Sequence, residues 1–186
     1  MNILALSGST RAASVNTALL RALARHAPRG VSVDLFDGIA SLPIFSPDLE
    51  GPPAPPSVEA FAAAVARADG LVIACPEYVR ALPGGFKNAV DWLVSRDEII
   101  VKPIALIHAS HRGDDMLEQL RLVLGTVSEN FTADIFERFA LKASTPGEIA
   151  AYFEAPEQAA RLRAFLDQFA AHIRAINQQA RAPSVP

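Results

Sequence analysis

The chain has 186 residues, 51% apolar and 20% charged, the size and composition of one α/β domain with a sizeable core rather than a disordered chain. Its formal net charge of −3 excludes the basic face of a nucleic-acid binder, and no run of 18 apolar residues offers a membrane span. A single cysteine excludes an internal disulfide, and the start MNILALSG lacks a signal peptide's basic region, so a reducing, cytoplasmic setting is expected.

Residues 2–6 (NILAL) form the short apolar run that a buried parallel strand requires. From Asn16 a helical period begins, with Leu19, Leu20, Leu23 and Ala24 repeating at three and four, and it ends near Pro28-Arg29-Gly30. Residues 31–36 (VSVDLF) alternate like a strand. Residues 37–57 are rich in turn formers, including the string EGPPAPPS. They are too long for an ordinary connection, so an ordered excursion near a functional edge is expected. An alanine-rich helix follows over residues 58–69, then a fully apolar strand over 70–75 (GLVIAC). The loop PEYVRALPGG leads into a helix opening near Pro83, where a proline's missing N–H costs nothing. A fourth strand is expected over 101–108 and a helix over 114–124, with Met116, Leu117, Leu120 and Leu124 at helical spacing. A weaker fifth strand lies around 133–141. Leu162, Phe165, Phe169, Ile173 and Ile176 then mark one long final amphipathic helix, read as core.

Strands alternating with helices along the whole chain imply right-handed crossovers and one parallel sheet covered on both faces. Five strands is the flavodoxin-like count: a three-layer αβα sandwich of strand order 2-1-3-4-5. Residues 1–180 are read as a single domain of this kind, and 181–186 (RAPSVP) as a flexible tail.

In such a sheet a ligand sits outside the carboxyl ends of the strands where their order reverses, here between the first and third. The two loops that leave those strands are SGSTRAASVN and PEYVRALPGG. The first has neither the Gly-Lys-Ser/Thr of a Walker loop nor the three glycines of a dinucleotide fingerprint. It does have the chemistry of a phosphate site. Ser9, Thr10 and Ser14 offer hydroxyls, Gly8 permits close backbone approach, and Arg11 adds a fixed charge at a helix N-terminus, with Asn16 placed to cap that helix. The plainer alternative is that Ser and Asn cap the helix and Arg11 is solvated. In the second loop Pro76 and Pro83 stiffen the chain around Glu77 and Tyr78, which suits the polar rim of a flat heteroaromatic ring. A half-buried packing aromatic and a solvated loop acid are the corresponding plain readings.

With both loops in place, the sequence resembles the NADPH-dependent FMN reductase family, which includes chromate and quinone reductases. The resemblance is carried by GSTRAASVN (8–16), LPIFSPDLE and PPSVEAF, ADGLVIACPEY (68–78) and PGGFKNAVDW (83–92). It implies that Ser9, Arg11, Ser14, Val15 and Asn16 hold the FMN phosphate and ribityl chain. It further implies that Pro76, Glu77, Tyr78 and Val79 frame the isoalloxazine, largely through backbone groups, and that Ser110 lines the ring's other edge. The implied reaction passes a hydride from NADPH or NADH to FMN, then electrons to a quinone, free flavin, azo dye or metal oxyanion such as chromate. The implied assembly is a homodimer or homotetramer with the GGFKNAVDW helix near its interface. The flavin carries the redox chemistry, so no protein side chain is expected to be catalytic and no metal is expected.

The chain departs from the family's pattern in two places. Members commonly continue P-E-Y with Asn, a small residue and Ser, where this chain has Val79, Arg80 and Ala81. After the fourth strand a longer glycine-rich loop is replaced by HASHRGDD. Both changes bear on the ring's surroundings, the preferred acceptor and the retention of FMN. Cys75 reads as a small buried hydrophobe rather than a redox thiol. His108 and His111, in a loop with Asp114 and Asp115 near, lack the spacing of a metal site, whereas His111 and Arg112 are candidates to contact a ring edge or a nicotinamide phosphate. Three other functions stay open. A flavodoxin-type electron carrier is disfavoured by Arg11. A diverged member that has lost flavin and acts as a binding protein is supported only by Val79-Arg80-Ala81. A nucleotide-handling transferase gives the P-E-Y loop no role.

Overall fold

Strands buried on both faces must be apolar throughout, and β3 (Gly70–Ala74) and β4 (Ile104–His108) are buried at every residue. In the computed structural model, which describes residues 1–141 and 145–181, they lie beside β1 (Asn2–Ser7), β2 (Ser32–Phe36) and β5 (Phe131–Arg138). Every pairing is parallel and the order is β2-β1-β3-β4-β5, as the β-α alternation requires. Along each strand successive side chains point to opposite faces. Leu4, Leu6, Leu71, Ile73 and Leu106 therefore pack against α2 (Pro56–Arg67), α3 (Gly84–Asp91) and α5 (Asp114–Val127). Ile3, Ala5, Val72, Ala105 and Ile107 meet α1 (Val15–Arg25), α6 (Pro146–Glu154) and α7 (Pro156–Arg181) on the other face. A short α4 (Asp97–Ile100) lies between α3 and β4.

Beyond shifts of one to three residues at the ends of β1, β2, β3, α1, α2 and α5, three features differ from the sequence reading. β4 opens at Ile104 instead of residue 101, since Pro103 has no N–H to offer a ladder. β5 is an edge strand lying at 131–138, half-exposed, with an irregular register between Ile104 and Leu106 of its neighbour. The long final helix is present as α7, which holds all five of the apolar residues that marked it, and a separate helix, α6, precedes it without having been expected. α6 starts on a capping box in which Thr145 and Glu148 satisfy each other's backbone N–H, and Pro156 begins the next helix. The expected tail lies, from residue 182 on, outside the described residues.

The segment between β2 and α2 is an ordered excursion containing two short 3₁₀ turns. Trp92 Nε1 and Asn88 Nδ2 both donate to the Pro43 carbonyl, at 2.8 and 2.9 Å, and Phe45 N–H donates to Asn88 Oδ1 at 2.7 Å. Phe45 and Trp92 stack edge to face at 5.2 Å. These contacts hold the excursion on α3 and bring Ile39 and Ala40 beside the loop that follows β1.

Candidate functional site

β1 and β3 end side by side where the strand order reverses, and Gly8 lets their loops meet. Its N–H donates to the Ala74 carbonyl at 2.8 Å. A Cβ at this position would stand 3.2 Å from the Cys75 Cα and overlap the Cys75 sulfur. α1 then opens at Ser14, whose hydroxyl accepts from the Thr17 N–H at 3.2 Å. Ser14 is thus the cap and Asn16 is not: Asn16 lies inside the first turn, buried, with its Oδ1 unpaired among the described residues. Ser9 Oγ accepts from the Arg11 N–H at 3.3 Å, and the Thr17 hydroxyl donates to Ser7 Oγ at 2.8 Å. Hydroxyls, an exposed arginine and the positive end of α1 are gathered within one loop.

The loops leaving β1, β3 and β4 enclose a cavity of about 390 Å³, within the rough 300–1,000 Å³ of small-molecule and cofactor sites. Val15, Asn16, Pro76, Glu77 and Ser110 line it, joined by His108 at the end of β4. Ser9 and Arg11 instead line a groove of about 430 Å³ on the β2 side of the same loop, with Thr17, Arg21 and Asp37. The expected binding residues therefore divide between the two sides of one loop, and Ser14, Tyr78 and Val79 line neither space. His108 is a strand residue, not a loop residue, and was legible as a lining group only through its place at a strand's carboxyl end. Its Nε2 lies 2.6 Å from the Arg112 carbonyl, which fixes the N–H there and leaves Nδ1 buried and unpaired among the described residues. Arg112 also lines the cavity, whereas His111 does not.

Beyond Glu77 the chain makes a two-residue hairpin. Tyr78 and Ala81 exchange both backbone hydrogen bonds at 3.0 Å, and Val79 and Arg80 have φ of 53° and 59°. That is a type I′ turn, which favours Asn-Gly because both central residues sit in the left-handed region. A β-branched residue there is an outlier, and such strain costs about 1–3 kcal/mol per residue. Tyr78 is half-exposed and Val79 is 98% exposed, so neither gains burial in return. Three contacts tie the loop to α5: the Met116 N–H donates to Glu77 Oε2 at 3.4 Å, Arg80 pairs with Asp115, and Gln119 Nε2 donates to the Arg80 carbonyl at 2.9 Å.

The electrostatics separate inert groups from available ones. Burial pushes the Cys75 thiol up to about 12, so it stays protonated and behaves as a small hydrophobe. Burial also holds His108 below its ordinary 6.5, opposed by the Arg112 carbonyl, so its ring is neutral at pH 7. The Arg138 guanidinium, 2.5 Å from Asp114, holds that carboxyl below its usual range. Among the described residues no three His, Cys, Asp or Glu side chains are grouped to hold a metal ion, and no helix is long and apolar enough to cross a membrane.

This sheet, with hydroxyls and an arginine at the first helix and a proline-framed cavity beside it, has recognisable relatives. The family model of NADPH-dependent FMN reductase matches residues 1–140. The chain belongs to that family. It is 39% identical over 118 residues to a quinone reductase of Escherichia coli, covering 61% of either chain. It is 37% identical over 112 residues to an NAD(P)H-dependent FMN reductase of Pseudomonas aeruginosa, 59% of this chain and 60% of that one. The chain thus spans about three-fifths of the curated relatives it matches. Over nearly its full length it resembles a flavoenzyme NAD(P)H:(acceptor) oxidoreductase of Paracoccus denitrificans. That likeness has a TM-score of 0.76 and 25% identity, and covers 92% of this chain and 98% of the other.

Proposed function

We propose that this protein is an FMN-dependent NAD(P)H oxidoreductase that reduces quinones. The observation that carries the reading is the cavity at the carboxyl ends of β1, β3 and β4, where a buried Asn16 Oδ1 has no partner among the described residues. A buried polar atom left unpaired costs about 1–3 kcal/mol, and a ligand rich in hydroxyl donors, such as the ribityl chain of FMN, relieves that cost. Ser9, Arg11 and the free N–H groups at the start of α1 would hold its phosphate. Val15 and Asn16 would take the ribityl chain, and Pro76, Glu77, Tyr78, Val79 and Ser110 would surround the ring. The chemistry that bound FMN supplies is hydride acceptance from NAD(P)H and electron delivery to a small acceptor.

A quinone as acceptor draws support from the quinone reductase relative, and free flavin and chromate are further acceptors of the same reading. Arg80 is engaged by Asp115, which leaves Arg112 as the cation at the cavity rim able to favour NADPH over NADH. Ile44, 86% exposed beside α3, supports a homodimer or homotetramer that covers this face. The lone buried thiol is compatible with a cytoplasmic setting. The test is consumption of NADPH by the FMN-loaded protein with benzoquinone. Steady turnover supports the reading, whereas bound flavin without NADPH consumption contradicts it and indicates an electron carrier.

A further inference from the structure

The turn that follows Tyr78 adopts a conformation that its own residues oppose. In a two-residue hairpin of this type both central residues have positive φ, which glycine and asparagine tolerate and valine does not. Val79 at 53° and Arg80 at 59° are the only two non-glycine residues with positive φ among those described. Their side chains bring no compensating burial, since both are exposed. Such a conformation persists only where surrounding structure imposes it.

That structure is the first turn and a half of α5. Gln119 Nε2 donates to the Arg80 carbonyl at 2.9 Å, and the Arg80 guanidinium pairs with Asp115. The two contacts grip the turn by different atoms, one backbone and one side-chain, from positions i and i+4 of one helix face. The same helix start receives Glu77, through the Met116 N–H, and Gly113 lies so near His108 that a Cβ would come within 2.9 Å of its Nε2. The loop after β3 and the start of α5 are therefore one unit, with the cavity along its inner side. Closing the hairpin uses the N–H groups of Tyr78 and Ala81, and leaves those of Val79 and Arg80 without partners among the described residues.

We propose that Asp115 and Gln119 are positioning residues for cofactor binding: they hold Val79 and Arg80 in the left-handed conformation and so fix the loop edge that faces the flavin ring. This rests on the reading that the Pro76–Val79 loop frames FMN. Neither residue lines the cavity, so each acts through the turn.

Gln119→Ala isolates the effect, because Gln119 grips a backbone carbonyl that every variant of the turn keeps. In the native turn, Gln119→Ala should raise the Kd for FMN about three- to tenfold and shift the bound flavin's reduction potential, with Asp115→Ala adding to both. The double variant Val79→Asn/Arg80→Gly supplies the residues that this turn favours. It should raise the unfolding temperature of the apoprotein by about 3–6 °C, on the scale expected for relieved backbone strain in a domain of this size. In that background Gln119→Ala should alter the Kd less than about 1.5-fold.

An unchanged Kd and potential in Gln119→Ala, with the native turn, overturns the proposal. So does an equal Gln119→Ala effect in both backgrounds, which would mean that the glutamine acts otherwise than through the turn. Failure of the unsubstituted protein to take up FMN at all overturns the cofactor reading instead. The apoprotein unfolding temperatures then still decide whether α5 holds a strained turn.

Discussion

Asn16 in the first turn of α1 and His108 at the end of β4 line the same cavity, and each buries a polar atom that no described residue satisfies. Native interiors rarely leave buried polar atoms unpaired unless water or a ligand completes them. Asn16→Leu keeps the branching at Cγ and removes the unpaired carbonyl. The apoprotein should be unchanged or more stable by up to about 1 kcal/mol in urea unfolding, while FMN binds about tenfold or more weakly. A loss of apoprotein stability by several kcal/mol would show instead that Asn16 is a structural residue.

Arg11 is exposed and pairs with no carboxylate among the described residues. Charge-assisted bonds to phosphate contribute about 1.5–3 kcal/mol, so Arg11→Ala should weaken FMN about 10- to 100-fold. Riboflavin, which has the ring and ribityl chain but no phosphate, should bind the variant and the unsubstituted protein equally. Titration by flavin fluorescence quenching separates the two ligands. An equal loss for both would place Arg11 away from the phosphate.

Gly8 stands where a Cβ would overlap the Cys75 sulfur. Gly8→Ala must push the loop off the end of β3, at a cost of about 1–3 kcal/mol of the kind seen on overpacking a core. Chemical denaturation should show that loss, and FMN affinity should fall with it because the loop that carries Ser9 and Arg11 moves. Cys75→Ala in the same chain should recover part of the stability.

His108 gives the fold a pH dependence. Its folded-state value lies below the ordinary 6.5, chiefly through burial, so below about pH 6.5 the unfolded chain binds more protons than the folded one. Stability contributed by the neutral ring is complete above that point and is lost as pH falls. Urea midpoints should drop between pH 7.5 and 5.5, and His108→Gln should flatten the drop. A drop of the same size in that variant would assign it to other groups.

The strand order, and the meeting of the loops after β1 and β3 where that order reverses, were legible because each rests on a local signal: apolar runs such as NILAL and GLVIAC, and loops of Gly, Ser and Pro between them. The start of α6 was legible in principle, since Thr145 precedes Glu148 by the spacing of a capping box, but that signal lies outside the apolar stripe that marks α7. Which side of a loop a residue faces has no sequence period, so Ser9 and Arg11 could not be told apart from Val15 and Asn16. Least legible were Asp115 and Gln119. Their role depends on two φ angles and on contacts 35 and 39 residues distant in sequence. The only trace of it in the sequence is a Val-Arg pair at the tip of a turn that favours Asn-Gly.

The visible absorption spectrum of the purified protein, recorded after incubation with FMN and desalting, tests the cavity most directly. A retained flavin band corresponding to about one FMN per chain, lost in Arg11→Ala and weakened in Asn16→Leu, is the expected result. A colourless protein that cannot be reloaded would contradict FMN binding between the loops of β1, β3 and β4.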